Sequence, residues 1–217
     1  MTLVGASKTQ PAAVLAPFVA AGLSVLGENR VQEAQAKRRQ LAEIPRLPPV
    51  EWHLIGPLQT NKARPALDLF TCIHALDRPA IAAAVDREAA RRGAVCSGFV
   101  EVNLGEEPTK HGFPPGGLAA ALQPLAGLSN LRIVGLMAIP PLAAAEVEAE
   151  AARGWFRRLR ELRDELGSRP EWAGWPGWLS MGMSDDFELA IEEGATHVRI
   201  GTALFGPRAT QPLSMLR

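Results

Sequence analysis

The stretch Thr2-Leu-Val-Gly-Ala-Ser-Lys-Thr-Gln-Pro11 decides how the rest of the chain is read, because it passes from a short apolar strand to a helix start with no linker between them. Pro11 suits the first helical position, where its missing N–H would have no partner anyway and its φ is already set. Residues 12–21 are Ala-rich and run to Gly22, a residue that fits the position just past a helix C-terminus. Strand and helix joined in this way form the first half of a βαβ unit, and the unit recurs along the chain.

Seven more short apolar runs follow: Leu23–Leu26, Val50–Ile55, Thr71–Ala75, Cys96–Leu104, Arg132–Met137, Trp178–Met181 and His197–Ile200. Helical patterns separate them. Asn29 resembles an N-cap with Gln32 at the third helical position, opening a helix through about Ala42. Others begin near Asn61, at Pro79 and near Gly117, and a short one carries Phe187, Ala190 and Ile191 before Gly194. The clearest spans about 145–166, with Trp155, Phe156, Leu159, Leu162 and Leu166 on one face. Its Glu146, Glu148 and Glu150 come early and Arg157, Arg158, Arg160 and Arg163 late, as the helix dipole favours. Eight parallel strands with right-handed crossovers in just over 200 residues fit a closed (β/α)8 TIM barrel, an α/β fold, better than an open sheet. The Trp- and Pro-rich interval from Gly167 to Trp178 is too short for a second domain, so residues 1–217 are expected to form one.

Composition narrows the function classes. The 217 residues carry 23 basic and 23 acidic side chains, and no chain-wide basic surface points to nucleic acid. Cys72 and Cys96, the two cysteines, lie in apolar runs and read as small core residues rather than a disulfide or metal pair. The N-terminus lacks a signal-peptide pattern, and no apolar stretch approaches the roughly 20 residues needed to span a bilayer. A soluble, cytoplasmic protein is the expectation. No metal-ligand spacing, Walker loop or Gly-x-Ser-x-Gly element is present, so no metal site is expected.

In such barrels the functional face is the C-terminal end of the strands, and phosphate is often held after the seventh and eighth. Lys8 ends the first strand on the face of Val4 and Ala6, where partial desolvation would favour a neutral amine; the alternative is a lysine that snorkels to water. After the seventh strand, Gly182 allows close backbone approach, and Ser184 is placed to cap the next helix. After the eighth, Gly201 and Thr202 offer an N–H and a hydroxyl at a short helix start. Each could be an ordinary cap; two at adjacent strand ends suggest a phosphate cradle. Arg199 alternates with Val198 and Ile200 and so points into the barrel. There it needs an anion, an acceptor such as a ring nitrogen, or an ion pair with a residue such as Glu101. Asn29 could cap its helix or bond a ligand, His53 and His74 read as satisfied core histidines, and Lys110 as a solvated loop lysine.

Ser7-Lys-Thr, Gly27-Glu-Asn-Arg-Val-Gln-Glu33, Trp52-His-Leu-Ile-Gly-Pro-Leu-Gln-Thr-Asn-Lys62, Gly135-Leu-Met-Ala-Ile-Pro140, Leu179-Ser-Met-Gly-Met-Ser-Asp-Asp186 and Val198-Arg-Ile-Gly-Thr-Ala-Leu-Phe-Gly206 together resemble the YggS/PROSC family, the pyridoxal phosphate homeostasis proteins. The resemblance covers essentially the whole chain in order. It implies the barrel of the alanine racemase N-terminal domain, without the helix that usually precedes the first strand. It implies that Lys8 holds pyridoxal 5′-phosphate as a Schiff base, that Ser184, Gly201 and Thr202 bind its phosphate, and that Arg199 faces its ring nitrogen. Asn29 is carried as a further cofactor-binding candidate, and Lys110 as a secondary acceptor. No catalytic residue is implied. Alanine racemase draws a second acid–base group, a tyrosine, from a separate domain, and this sequence contains no tyrosine. The resemblance therefore implies a monomeric cofactor carrier that supplies PLP-dependent apoenzymes. The competing expectations are a weak racemase or transaminase, a Schiff-base aldolase, and a partner-binding regulator.

Overall fold

The structure is a computed structural model and describes residues 1–141 and 149–207. Eight strands close into a barrel in sequence order: β1 (Thr2–Ala6), β2 (Val25–Glu28), β3 (Glu51–Leu54), β4 (Cys72–Leu76), β5 (Cys96–Glu101), β6 (Leu131–Met137), β7 (Trp178–Ser180) and β8 (His197–Ile200). All neighbours are parallel, and β8 closes on β1 in the register Thr2 to His197 through Gly5 to Ile200. The eight-strand expectation holds, with shifted bounds. The second strand begins at Val25 rather than Leu23, and the fifth stops at Glu101, beyond which Val102 makes only an isolated bridge to Phe113.

Between the strands lie α1 (Ala12–Ala20), α2 (Val31–Ala42), α3 (Ala63–Leu67), α4 (Pro79–Arg91), α5 (Leu118–Leu122), α6 (Ala149–Gly167), α7 (Phe187–Glu192) and, after β8, α8 (Thr202–Phe205). Two helix starts differ from expectation. Pro11 is the N-cap of α1 in an extended conformation, φ −71° and ψ 153°, so the helix begins one residue later. The capping arrangement of Asn29 and Gln32 does not form. The cap of α2 is Arg30; Asn29 lies in the bend just after β2, with its backbone packed on Gly56, where a Cβ would stand 2.8 Å from the Asn29 Cα and carbonyl oxygen. Residues 117–125 split into α5 and a 3-10 turn, Gln123–Leu125, since Pro124 cannot donate the next helical hydrogen bond.

Phe156, Leu159, Leu162 and Leu166 of α6 are all buried and Trp155 packs beside them, which confirms the apolar face. The acidic start expected from Glu146, Glu148 and Glu150 lies outside the described residues and side chains. The basic residues of α6 also serve packing: Arg157 and Arg160 reach the buried Glu193 carboxylate at the end of α7, at 3.2 and 2.7 Å. One apolar layer lies between sheet and helices, and a smaller cluster of Cys72, Ala75, Phe99, Val134 and Met137 fills part of the barrel interior. Both cysteines are free and buried, as expected. Burial pushes the Cys96 thiol up to about 12 and the Cys72 thiol well above its ordinary value. Among the described residues no helix is long and apolar enough to cross a membrane.

Candidate functional site

The C-terminal strand ends surround a cavity of about 320 Å³. Lys8, Asn29, Ser184, Arg199, Gly201 and Thr202 all line it, with Ala6, Ile55, Ala75, Glu101, Ile139 and Met183 among their neighbours. Residues spread over almost the full described length thus meet in one place, because each follows or ends a strand that points to the same rim.

Lys8 does not lie on the strand. β1 ends at Ala6, and Lys8 sits two residues on, half-buried, in a turn whose next residue, Thr9, has a φ of 66°. That turn is fastened from behind. The Ser7 hydroxyl donates to Glu28 Oε1 at 2.6 Å, and Lys37 Nζ donates to the Ser7 carbonyl at 2.7 Å and also bonds Glu28 Oε1. Glu28 and Lys37 are both buried, so each needs the other's charge. The clamp escaped sequence reasoning; the sequence signal for it is Glu28 closing the apolar run of β2, a strand the structure buries throughout.

Ser184 caps a helix, but a different one from that expected. Its Oγ accepts from the backbone N–H groups of Gly201 and Ala203, at 3.3 and 3.1 Å, at the start of α8. The carboxylate of Asp186 accepts instead from the N–H of Met183 at 2.6 Å, which turns the chain into α7. Gly182 is needed for the fold rather than for close approach to a ligand: its φ is +90°, and a Cβ there would meet that of Ala190 at 2.6 Å. The loops after β7 and β8 are therefore tied through one hydroxyl. With both amides taken by the Ser184 oxygen, they present the Ser184 and Thr202 hydroxyls and the Gly201 backbone to the cavity. An anion's oxygens fit such a set of donors, with Ser184 free to rotate its proton outward.

Arg199 is 4% exposed and points inward as the alternation predicts. Its partners are not carboxylates. Nη1 donates to the Ser180 carbonyl and hydroxyl, both at 2.7 Å, and Nη2 donates to the Ala138 carbonyl at 3.0 Å. The ion pair with Glu101 considered from sequence is not formed. Burial lowers the Arg199 guanidinium to about 10, opposed by the charges of Glu101 and Asp186, so it remains a cation at neutral pH. Burial raises the Glu101 carboxyl, helped by Asp77 and opposed by Arg199 and His111.

His53 and His74 are satisfied core histidines, hydrogen-bonded to one another at 2.9 Å. With Cys72 they nevertheless form a group whose ligand atoms lie within 4.8 Å, so the linear spacing that argued against a metal-ligand set missed this convergence. Lys110 is held by Glu107 at 2.6 Å and by the Pro140 carbonyl at 3.4 Å, and it does not line the cavity.

The family model of the alanine racemase N-terminal domain matches residues 6–209. The pyridoxal phosphate homeostasis protein of Aquifex aeolicus is 46% identical over 206 residues, covering 95% of this chain and 86% of that protein. Its counterpart in Pseudomonas aeruginosa is 44% identical over 206 residues, with 95% and 84% covered. Among solved structures, PipY of Synechococcus elongatus with PLP bound is 41% identical with a TM-score of 0.85, covering 95% of this chain and 92% of that one. Alanine racemase of Clostridium difficile, at 17% identity and a TM-score of 0.71, covers 97% of this chain and 53% of that one, a likeness of fold.

Proposed function

The chain belongs to the pyridoxal phosphate homeostasis proteins of the alanine racemase N-terminal-domain family, and from that premise we propose that it binds pyridoxal 5′-phosphate in the rim cavity and buffers or delivers it without turnover of its own. The observation that carries this reading is the meeting of Lys8, the Ser184–Gly201–Thr202 donors and Arg199 around one cavity.

The cofactor supplies an aldehyde, which condenses with a primary amine and releases water. Lys8 is the amine of this cavity, held in place by the Ser7–Glu28–Lys37 clamp. Ser184, Gly201 and Thr202 would receive the phosphate, and Asn29, which lines the same cavity, would add a polar contact. Arg199 serves the ring nitrogen as a hydrogen-bond donor. Charged at neutral pH and already committed to three oxygens, it does not give up a proton, so it leaves a ring nitrogen a poor electron sink. The barrel itself contributes no tyrosine that could act as an acid–base group opposite Lys8. In this reading the protein is a cytoplasmic monomer whose recipients are PLP-dependent apoenzymes.

The test is direct. Purified protein mixed with pyridoxal phosphate turns yellow, and borohydride reduction followed by peptide mapping finds the label on Lys8. A label on Lys110 would move the site, and protein that stays colourless would overturn the reading. Incubation with a panel of amino acids, followed by chiral chromatography, gives no conversion above that of free cofactor. Conversion that depends on Lys8 would make the protein an enzyme.

A further inference from the structure

Below the cavity a continuous set of polar contacts crosses the barrel interior. Arg199 Nη1 donates to Ser180 Oγ at 2.7 Å; Ser180 Oγ lies 2.8 Å from His74 Nδ1; His74 Nε2 lies 2.9 Å from His53 Nδ1; and His53 Nε2 lies 3.2 Å from Glu51 Oε1. Glu51 begins β3 at the opposite rim, where it is exposed and also accepts from the Thr71 hydroxyl at 2.6 Å. Ser180, His74 and His53 are buried.

The two ends fix the direction of every bond between them. A guanidinium can only donate and a carboxylate can only accept. From the lower end, Glu51 requires a proton on His53 Nε2, which leaves Nδ1 of that neutral ring as an acceptor. His74 must then carry its proton on Nε2, leaving its own Nδ1 to accept from the Ser180 hydroxyl. From the upper end, Ser180 Oγ accepts from Arg199 and has one proton to give, and His74 Nδ1 is there to take it. The two derivations meet without a conflict. Burial disfavours the charged form of both histidines, as this pattern requires.

We propose that Ser180, His74, His53 and Glu51 are positioning residues for Arg199: a one-way hydrogen-bond chain, running from the cavity floor to the far rim, that fixes the guanidinium where the cofactor ring is read. The chain rests on the function proposed above and adds to it a set of residues that touch no ligand. His53, Cys72 and His74 could alternatively hold a soft divalent cation. The chain is the reading favoured by the geometry, because all four imidazole nitrogens of His53 and His74 already have partners.

Nitrogen NMR of the imidazoles in the protein without added ligand is expected to show both rings neutral with the proton on Nε2. A proton on Nδ1 of either ring overturns the chain, and so does zinc added alone that binds in wild type and not in Cys72→Ser. Pyridoxal phosphate titration then tests the role. Ser180→Ala and His74→Phe are expected to weaken binding about tenfold, the factor that corresponds to one buried hydrogen bond. His74→Gln, whose amide can accept from Ser180 and donate to His53, restores binding, which a purely space-filling role does not predict. Should His74→Phe fail to fold, Ser180→Ala carries the test, since it removes a single hydroxyl. Uptake unchanged in Ser180→Ala overturns the positioning role alone. Wild-type protein with the expected tautomers but no uptake overturns the cofactor reading and the positioning role together.

Discussion

At the C-terminal rim, polar groups come from the ends of many strands and face a shared cavity; in the barrel interior beneath it, polar groups come from within strands and face one another. The rim leaves donors pointing at open space, where something else can accept from them. The interior pairs its donors with acceptors until little capacity is left. On the function proposed above, binding and rigidity fall to two layers of the same barrel, joined at Arg199, which belongs to both.

The largest effect should come from separating the two layers at the rim. Lys8→Ala is expected to abolish the visible colour of the loaded protein while its urea midpoint stays close to wild type, because the side chain lines the cavity and is not part of the core. Next comes the clamp behind it. Lys37→Met leaves Glu28 as an unpaired buried carboxylate and should cost about 3–5 kcal/mol in urea denaturation, with part of the loss recovered when Glu28→Gln is added.

A smaller effect, confined to the interior, follows from pH. Burial lowers His53, His74 and His197, the last from 6.5 to about 4. The unfolded chain binds protons on these side chains below about pH 6.5, where the folded protein still excludes them. The histidine contribution to stability is therefore largest above that value and falls as pH drops from about 6.5 towards 4, with His197 losing up to roughly 1.4 kcal/mol per pH unit. Thermal melts over this range should show the decline, and replacing His197 with Gln should make it shallower. The smallest effect belongs to Lys110. Lys110→Ala removes one partly exposed ion pair and should change stability by under about 1 kcal/mol, with the colour of the loaded protein retained.

The same two layers differ in how far they could be read from sequence. The rim was legible because its residues stand beside strand ends, and short apolar runs bounded by Gly and Pro mark those ends from Thr2 to Ile200. The differences there are local: the sequence places Ser184 at the start of the helix that follows it, whereas the amides it serves belong to the helix after β8. The interior was barely legible. His53 and His74 are 21 residues apart, and His74 and Ser180 are 106 apart, so neither contact has a spacing signature. For Arg199, strand alternation gave the direction, and the cost of a buried cation gave the need for acceptors. The acceptors include the main-chain carbonyls of Ser180 and Ala138, and a carbonyl can belong to any residue type.

The two buried cysteines bear on what a reactive aldehyde meets in this protein. Thiols add to aldehydes as amines do, and a reachable thiolate would compete for the cargo or carry oxidative damage into the fold. Here both thiols are shut away, and burial keeps them protonated, Cys96 up to about 12. Alkylating reagents should leave the native protein unmarked and label it twice once it is unfolded. A protein that holds an aldehyde, as proposed above, would in this way be kept from thiol adducts.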